Sequence, residues 1–362
     1  MTLALYIARR FLTMFLRIVA AFGGILLLID IIDQLRSSAV TLSGAGYLAL
    51  LNVPESLFQI LPLLMMLTGI ALFLALARSS ELVVVRASGQ SGLRFLLAPV
   101  AVAFVVGLFA VAVLDPLVAA TSKTYDRLQA MRKTGAEAVM SVSEDGLWLR
   151  QGAAEMQTVI RAAGGVPDGS QLREVTLLTF GPDGTPQDRI EAEAATLAPG
   201  EWVITGAKRW DLTADNPERD ALRSTDAIRL ATDLTQDRIR NSFGEPSAVA
   251  FWTLPDHIAS LETAGFSARS YRVWMQMQLA LPLLLVAMVL IAAGFTMRHA
   301  RFGKTGQMVL MALTGGFLIF FLRNFAQVLG ENGQIPIALA AWGPPVAAAF
   351  LALGLLLHLE DG

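Results

Sequence analysis

The chain has 362 residues, of which 54% are apolar and only 16% charged. With a mean hydropathy of +0.56, that balance excludes an ordinary water-soluble domain. A formal net charge of −2 points away from a polyanionic partner such as nucleic acid. The absence of cysteine excludes disulfides, thiolate chemistry and Cys-ligated metals, without revealing the compartment.

Six apolar runs dominate the sequence, near 11–35, 55–77, 95–118, 271–297, 305–328 and 335–358. Each holds roughly twenty mostly apolar residues, enough to cross a hydrocarbon core of about 30 Å as a helix. Three runs precede a polar insert at 119–270 and three follow it. At the start, Arg17 interrupts the apolar run and no small-residue cleavage site ends it, so a cleavable signal peptide is not expected. Tyr6–Arg17 reads instead as an amphipathic interfacial lead-in, with the first span beginning near Ile18. Asp30, Asp33 and Arg36 close that span, and Asp33 and Arg36, three apart, can share a helix face. Snorkelling to the interface explains Arg36 equally well.

Between the second and third runs, 79–89 outlines a short helix of about two turns, with serine at its start, Glu81 in the first turn and Gly89 at the end. Glu81 could simply complement the helix dipole. Leu82-Val83-Val84-Val85 on so short a polar-flanked helix is harder to explain, and asks for a socket on another protein. After the third run come Lys123, Arg127, Arg132 and Lys133. A helical stalk with a solvated basic face and a site for an anionic lipid headgroup account for them about equally.

The insert reads as strands. Leu147–Arg150, Thr158–Arg161, Val175–Phe180 and Trp202–Thr205 are β-branched or aromatic and roughly alternating, with turn signals at 144–146, 167–169, 181–184 and 199–200. Short strands at this spacing predict an antiparallel sandwich or open barrel, serving as a scaffold or as a lipid-holding trough. Leu254–Thr263 reads as a short helix leading back to the membrane. Further on, Arg323 sits inside the end of the fifth span amid Phe320, Phe321 and Phe325. A charge at that depth usually lines a cavity or meets a polar partner, and a lipid phosphate would suit its fork.

No catalytic set stands out. His257, His299 and His358 are widely spread and lack acidic or Cys neighbours at ligand spacing, so no metal site or cofactor is expected. Gly303-Lys304-Thr305 lacks the upstream glycine of a phosphate-binding loop, that position being Arg298. Gly23-Gly24, Gly69, Gly315-Gly316 and Gly343-Pro344-Pro345 permit close packing or kinks. Basic residues near the span ends set orientation: Arg9, Arg10, Arg17, Arg78, Arg86, Arg94, Arg298, Arg301 and Lys304 on one side, against Arg36 and Arg323 on the other. Both termini are therefore expected in the cytoplasm, and the insert outside the cytoplasmic membrane. The fold class is a polytopic α-helical membrane protein of six transmembrane helices with an inserted all-β domain.

Several of these segments together resemble the LptF/LptG (YjgP/YjgQ) family of lipopolysaccharide export permeases: Leu5–Phe11, Asp30–Arg36, Glu81–Gly89, and Tyr271–Gln276 followed by Pro282. The likeness covers nearly the whole chain, and the Asp33-Gln34-Leu35-Arg36 ending of span one is more similar to the LptG branch than to LptF. The resemblance implies a non-catalytic permease in the inner membrane of a Gram-negative cell, in a heterodimer with an LptF-like paralogue. It also implies an LptB-like cytoplasmic ATPase dimer and hand-over of lipopolysaccharide to LptC and LptA-like periplasmic proteins. Three regions follow: 1–118 with an interfacial helix, spans one to three and a coupling helix near 79–91; 119–270 as a periplasmic jellyroll-like domain with stalks; and 271–362 with spans four to six. Carried over by residue, Glu81, Leu82 and Arg86 would couple to the ATPase. Arg36, Lys123, Arg127, Arg132 and Arg323 would meet lipid A phosphates. Asp30, Asp33 and Phe325 would lie at a lateral gate. The family often has more lysine at the end of span one, where this chain has Asp30 and Asp33. Rival readings are the LptF paralogue, a lipoprotein-releasing permease, whose large domain would be expected after the first span, and a membrane sensor or scaffold without an ATPase.

Overall fold

The computed structural model describes residues 2–37, 41–79, 92–134, 140–143, 146–153, 156–166, 170–181, 183–219, 221–224, 226–232, 234–235, 245–297 and 305–360. They form two compact units. The first comprises Met1–Tyr125, Ser247–Trp252 and Arg269–Gly362; the second comprises Asp126–Pro246 and Thr253–Ala268.

The first unit is helical: α1 (Thr2–Ser37), α2 (Leu42–Arg78) and α3 (Gly92–Phe109), then a π turn (Ala110–Leu114) running into α4 (Asp115–Thr134), whose residues from Asp126 on belong to the second unit. The short α5 (Leu254–Thr263) belongs to the second unit, and α6 (Arg269–Thr296), α7 (Thr305–Glu331) and α8 (Ile337–Glu360) complete the first. Among the described residues, six helical stretches are long and apolar enough to cross a membrane: Leu3–Arg36, Leu42–Arg78, Arg94–Gln129, Arg269–Thr296, Gly306–Glu331 and Ile337–His358. The third therefore runs through α3, the π turn and most of α4.

The sequence predicts a change of character at Arg17, but α1 is one unbroken helix of 36 residues, about 54 Å at 1.5 Å per residue. Ile7, Phe11 and Phe15, four apart on one face, are buried in the same core as Leu72, Phe73 and Phe95. The Ile7, Phe11 and Phe15 face of this segment thus packs on protein, while Leu5, Tyr6, Leu12 and Leu16 are exposed. α2 likewise starts earlier than its apolar run, at Leu42, where the Thr41 hydroxyl accepts the Gly44 N–H at 3.4 Å as an N-cap.

The fourth span, α6, is the hub. Leu281, Leu284, Leu285, Met288 and Val289 are all 3% exposed or less. Lipid tails are as apolar as leucine, so helices in a membrane associate through close packing at small residues. A Cβ on Gly69 would stand 2.8 Å from the Ala292 Cβ, and one on Gly107 would stand 2.5 Å from the Pro282 Cα. Gly316 leaves no room for a Cβ beside the Met66 sulfur. Of the glycines picked from sequence, Gly69 and Gly316 fill this role, whereas Gly24 has open space beside it. At the start of α6, Arg269 donates to the Gly330 carbonyl of α7 at 2.6 Å and to the Ile335 carbonyl, in the turn after α7, at 2.8 Å, tying the two helices together; the Gly330 carbonyl also accepts the Gly333 N–H at 3.2 Å.

Among its described residues the second unit carries nine antiparallel strands: β1 (Met140–Ser143), β2 (Gly146–Ala153), β3 (Met156–Gly165), β4 (Gln171–Phe180), β5 (Pro186–Ala198), β6 (Glu201–Thr205), β7 (Lys208–Asp211), β8 (Leu222–Arg223) and β9 (Ile228–Ala231). The sheet follows the order β1-β2-β3-β4-β5-β6-β9, with β7 on β5 and β8 on β7. β5 is long enough to hold two partners, β6 along Ala194–Ala198 and β7 along Asp188–Glu191. Buried Trp202 donates its indole N–H to Gln151 Oε1 at 3.2 Å, and the same oxygen accepts the Thr232 hydroxyl at 2.6 Å. The helix expected over Leu254–Thr263 is present as α5.

Candidate functional site

Apolar helices leave polar groups few places to go, so each polar contact in the first unit carries information. The ends of α1 and α4 and the start of α2 are joined by three of them. Asn52 of α2 donates to Asp30 of α1 at 3.1 Å. Gln34 of α1, 6% exposed, donates to the Tyr125 hydroxyl of α4 at 2.9 Å. Ser122 of α4 donates to Glu55 of α2 at 2.6 Å. The Asp33-Gln34-Leu35-Arg36 ending of the first span is thereby divided. Gln34 turns inward, while Asp33 and Arg36 are exposed and have no ion-pair partner among the described residues.

Lys123 follows the inward-facing Ser122, is exposed on α4 and makes no ion pair among the described residues. Arg127, further along α4, is also exposed and makes contacts of its own. Arg132 lies on the last turns of the same helix. Glu81, Leu82 and Arg86 lie outside the described residues.

Arg323 stands on α7, two turns before Gly330. It is half-buried and donates to the Asn324 side-chain oxygen at 3.5 Å. Phe320 and Phe321 stack edge to face beside it at 6.1 Å, and Phe321 and Phe325 are more than 60% exposed. No carboxylate neutralises this guanidinium among the described residues. A half-buried cation with aromatic residues beside it and no carboxylate partner is suited to a bidentate oxyanion such as a phosphate.

Two acidic residues were missed from the sequence reading although both lie inside the apolar runs. Glu55 ties α2 to α4, and Asp115, 2% exposed, accepts the Phe251 backbone N–H at 2.7 Å. The signal was available, because an acid within a span needs a partner. What could not be read was that the partner of Asp115 is a backbone amide from the distant segment 247–252. Outside the membrane helices, burial holds the His257 imidazole of α5 below its ordinary value of 6.5. Among the described residues no three His, Cys, Asp or Glu side chains gather to hold a metal ion.

The spans differ in what they leave open. Along its most apolar stretch, the fourth span has 78% of its residues buried, against 6% in the first and 17% in the fifth. The unpaired Arg36 and Arg323 belong to those two open spans.

A family model described as lipopolysaccharide export system permease LptF/LptG matches residues 5–358. Two relatives named lipopolysaccharide export system permease protein LptG, from Escherichia coli strains K12 and O6:H1 (CFT073), are each 24% identical over 340 residues. The match covers 93% of this chain and 90% of each relative.

Proposed function

The chain belongs to the LptF/LptG family of lipopolysaccharide export permeases, and from that premise we propose that it is the LptG-type transmembrane subunit that draws lipopolysaccharide from the inner membrane for export. The family membership and the LptG-named relatives support that assignment and a non-catalytic transport role. In this reading both termini lie in the cytoplasm and the β-sheet unit in the periplasm of a Gram-negative cell. An LptF-like paralogue completes the permease pair, an LptB-like ATPase dimer supplies ATP hydrolysis, and LptC and LptA-like proteins receive the lipid.

The observation that carries the reading is the pairing of exposure with unneutralised charge. The first and fifth spans leave their apolar faces open, and Arg323 points a guanidinium with no carboxylate partner among exposed aromatic rings. Arg36 and Lys123, unlike the half-buried Arg323, are exposed, and neither makes an ion pair among the described residues. We assign Arg36, Lys123, Arg127, Arg132 and Arg323 to lipid A phosphates, and Asp30, Asp33 and Phe325 to a lateral gate on the first and fifth spans. Glu81, Leu82 and Arg86 are assigned to the contact with the ATPase, whose cycle would move the permease helices and expel lipid toward the β-sheet unit.

The test is co-expression of the tagged chain with the ATPase and the paralogue, followed by lipopolysaccharide-stimulated ATP hydrolysis in nanodiscs. Stable co-purification with stimulated turnover is expected, as is its loss in Glu81→Ala. A chain that purifies alone overturns the permease reading, and unaffected assembly and export in Glu81→Ala removes the coupling role.

A further inference from the structure

The third span is broken by its own sequence. In a regular α-helix the carbonyl of Ala112 would accept the N–H of residue 116, but that residue is Pro116, which has none. The helix widens into the π turn at Ala110–Leu114, where the N–H of Asp115 reaches back five residues to the Ala110 carbonyl. Such a turn weakens the ladder and often marks a functional position. An unsatisfied carbonyl in an apolar span is costly, and here it is satisfied from outside the helix.

Two successive residues of the segment 247–252 make the repair. Trp252 donates its indole N–H to the Ala112 carbonyl at 3.1 Å, and Phe251 donates its backbone N–H to Asp115 Oδ2 at 2.7 Å. The two rings meet edge to face at 5.3 Å, and Phe251 packs on the core of the helical unit. Glu55 adds a second fastening, accepting the Ser122 hydroxyl through Oε2 at 2.6 Å and the Ser247 hydroxyl through Oε1 at 3.4 Å. In chain order the segment lies between parts of the β-sheet unit, yet its six residues belong to the helical one. A passive loop has no use for two acids placed inside apolar helices. These two are occupied by this segment and by the helix it repairs.

We propose that 247–252 is a latch that splices the proline-broken third span. Asp115 and Trp252 act as positioning residues that fix the helix beyond Pro116, and with it the stance of Lys123. The consequence for Lys123 rests on the phosphate assignment made above, whereas the splice does not.

The test uses the full-length chain in nanodiscs and reads hydrogen exchange at the Phe251 amide. Trp252→Phe keeps the ring and removes the donor; because Trp252 is 63% exposed, the change leaves the core intact. It is expected to speed exchange about tenfold in the native background. In Pro116→Ala, residue 116 regains its own N–H for the Ala112 carbonyl, and the same substitution should then change exchange less than about twofold. Equal acceleration in both backgrounds overturns the splice.

Asp115→Ala should speed exchange, and Asp115→Asn, which keeps an acceptor oxygen, should restore it. Binding of lipid A carrying both phosphates should fall about fivefold in Asp115→Ala and recover in Asp115→Asn, less than the loss expected from removing a whole charge-assisted contact. Faster exchange with unchanged lipid A binding overturns the positioning role. If Lys123→Ala itself leaves binding unchanged, it is the phosphate assignment that fails, and the exchange cycle still decides the latch.

Discussion

The first and fourth spans are both strongly apolar and are used in opposite ways. The fourth buries 78% of the residues in its apolar stretch, the first 6%. Hydropathy reports what lipid tolerates, and it does not say which helix lipid touches. Side-chain size separates the two. The fourth span presents Ala287, Ala292, Ala293 and Pro282 to close neighbours, so backbones can approach. The first and fifth keep large side chains such as Leu28, Ile29, Leu318 and Phe321 exposed and carry Asp33, Arg36 and Arg323 beside them. The hub should therefore govern stability, and the open spans should govern what the protein binds.

The sharpest way to break this contrast is Gly107→Val. Its Cβ would meet the Pro282 backbone, which cannot give way, and a cost of about 3 kcal/mol is expected. Thermal unfolding in nanodiscs measures it, and a native-like melting temperature would show that the hub tolerates bulk after all. Next in size is Arg269→Ala, which removes the side-chain donors to the Gly330 and Ile335 carbonyls; Gly330 keeps the Gly333 N–H, and a cost of about 1.5 kcal/mol is expected. Arg269→Lys, unable to reproduce the fork, should recover only part of it.

Arg323→Ala probes the open side. Stability should stay within about 0.5 kcal/mol, while affinity for lipid A bearing both phosphates should fall about tenfold, or 1.4 kcal/mol. A large loss of stability with unchanged binding would reverse the roles assigned to hub and open spans.

The smallest effect lies outside both regions. Burial depresses the His257 value below 6.5, so the unfolded chain takes up the proton first as pH falls. The stability tied to the neutral ring is present above pH 6.5 and is lost as pH drops through the folded value. A decline of less than about 1 kcal/mol between pH 7.5 and 5.5 is expected, and His257→Gln should flatten it.

Much of this architecture was legible in the residues. The apolar runs became the six long helices, and Leu254–Thr263 folded as read, because length, apolarity and helix signals are local. β5, the longest strand among the described residues, lies in the insert that reads as strands but is not one of its four marked segments. Its Ile190-Glu191-Ala192-Glu193-Ala194-Ala195 has the composition of a helix, and only burial of Ile190, Ala192 and Ala195 against neighbouring strands overrides that preference. Arg323 was legible as a misplaced charge. The polar joints were not: Gln34 with Tyr125, Glu55 with Ser122, and Asp115 with Phe251 pair residues 67 to 136 positions apart. Their partners are common residue types with nothing local to mark them.

The ladder of the β-sheet has a kinetic consequence. From β1 to β6 each strand pairs with the one made just before it, so these contacts span short stretches of chain and cost little loop-closure entropy. A strand arriving in N-to-C order can add to an edge already in place. Two closures must wait for later chain: β9 onto β6, and the Gly165 N–H onto the Ala264 carbonyl at 2.9 Å. The sheet can thus grow as it emerges, while its locking is deferred until α5 has been delivered.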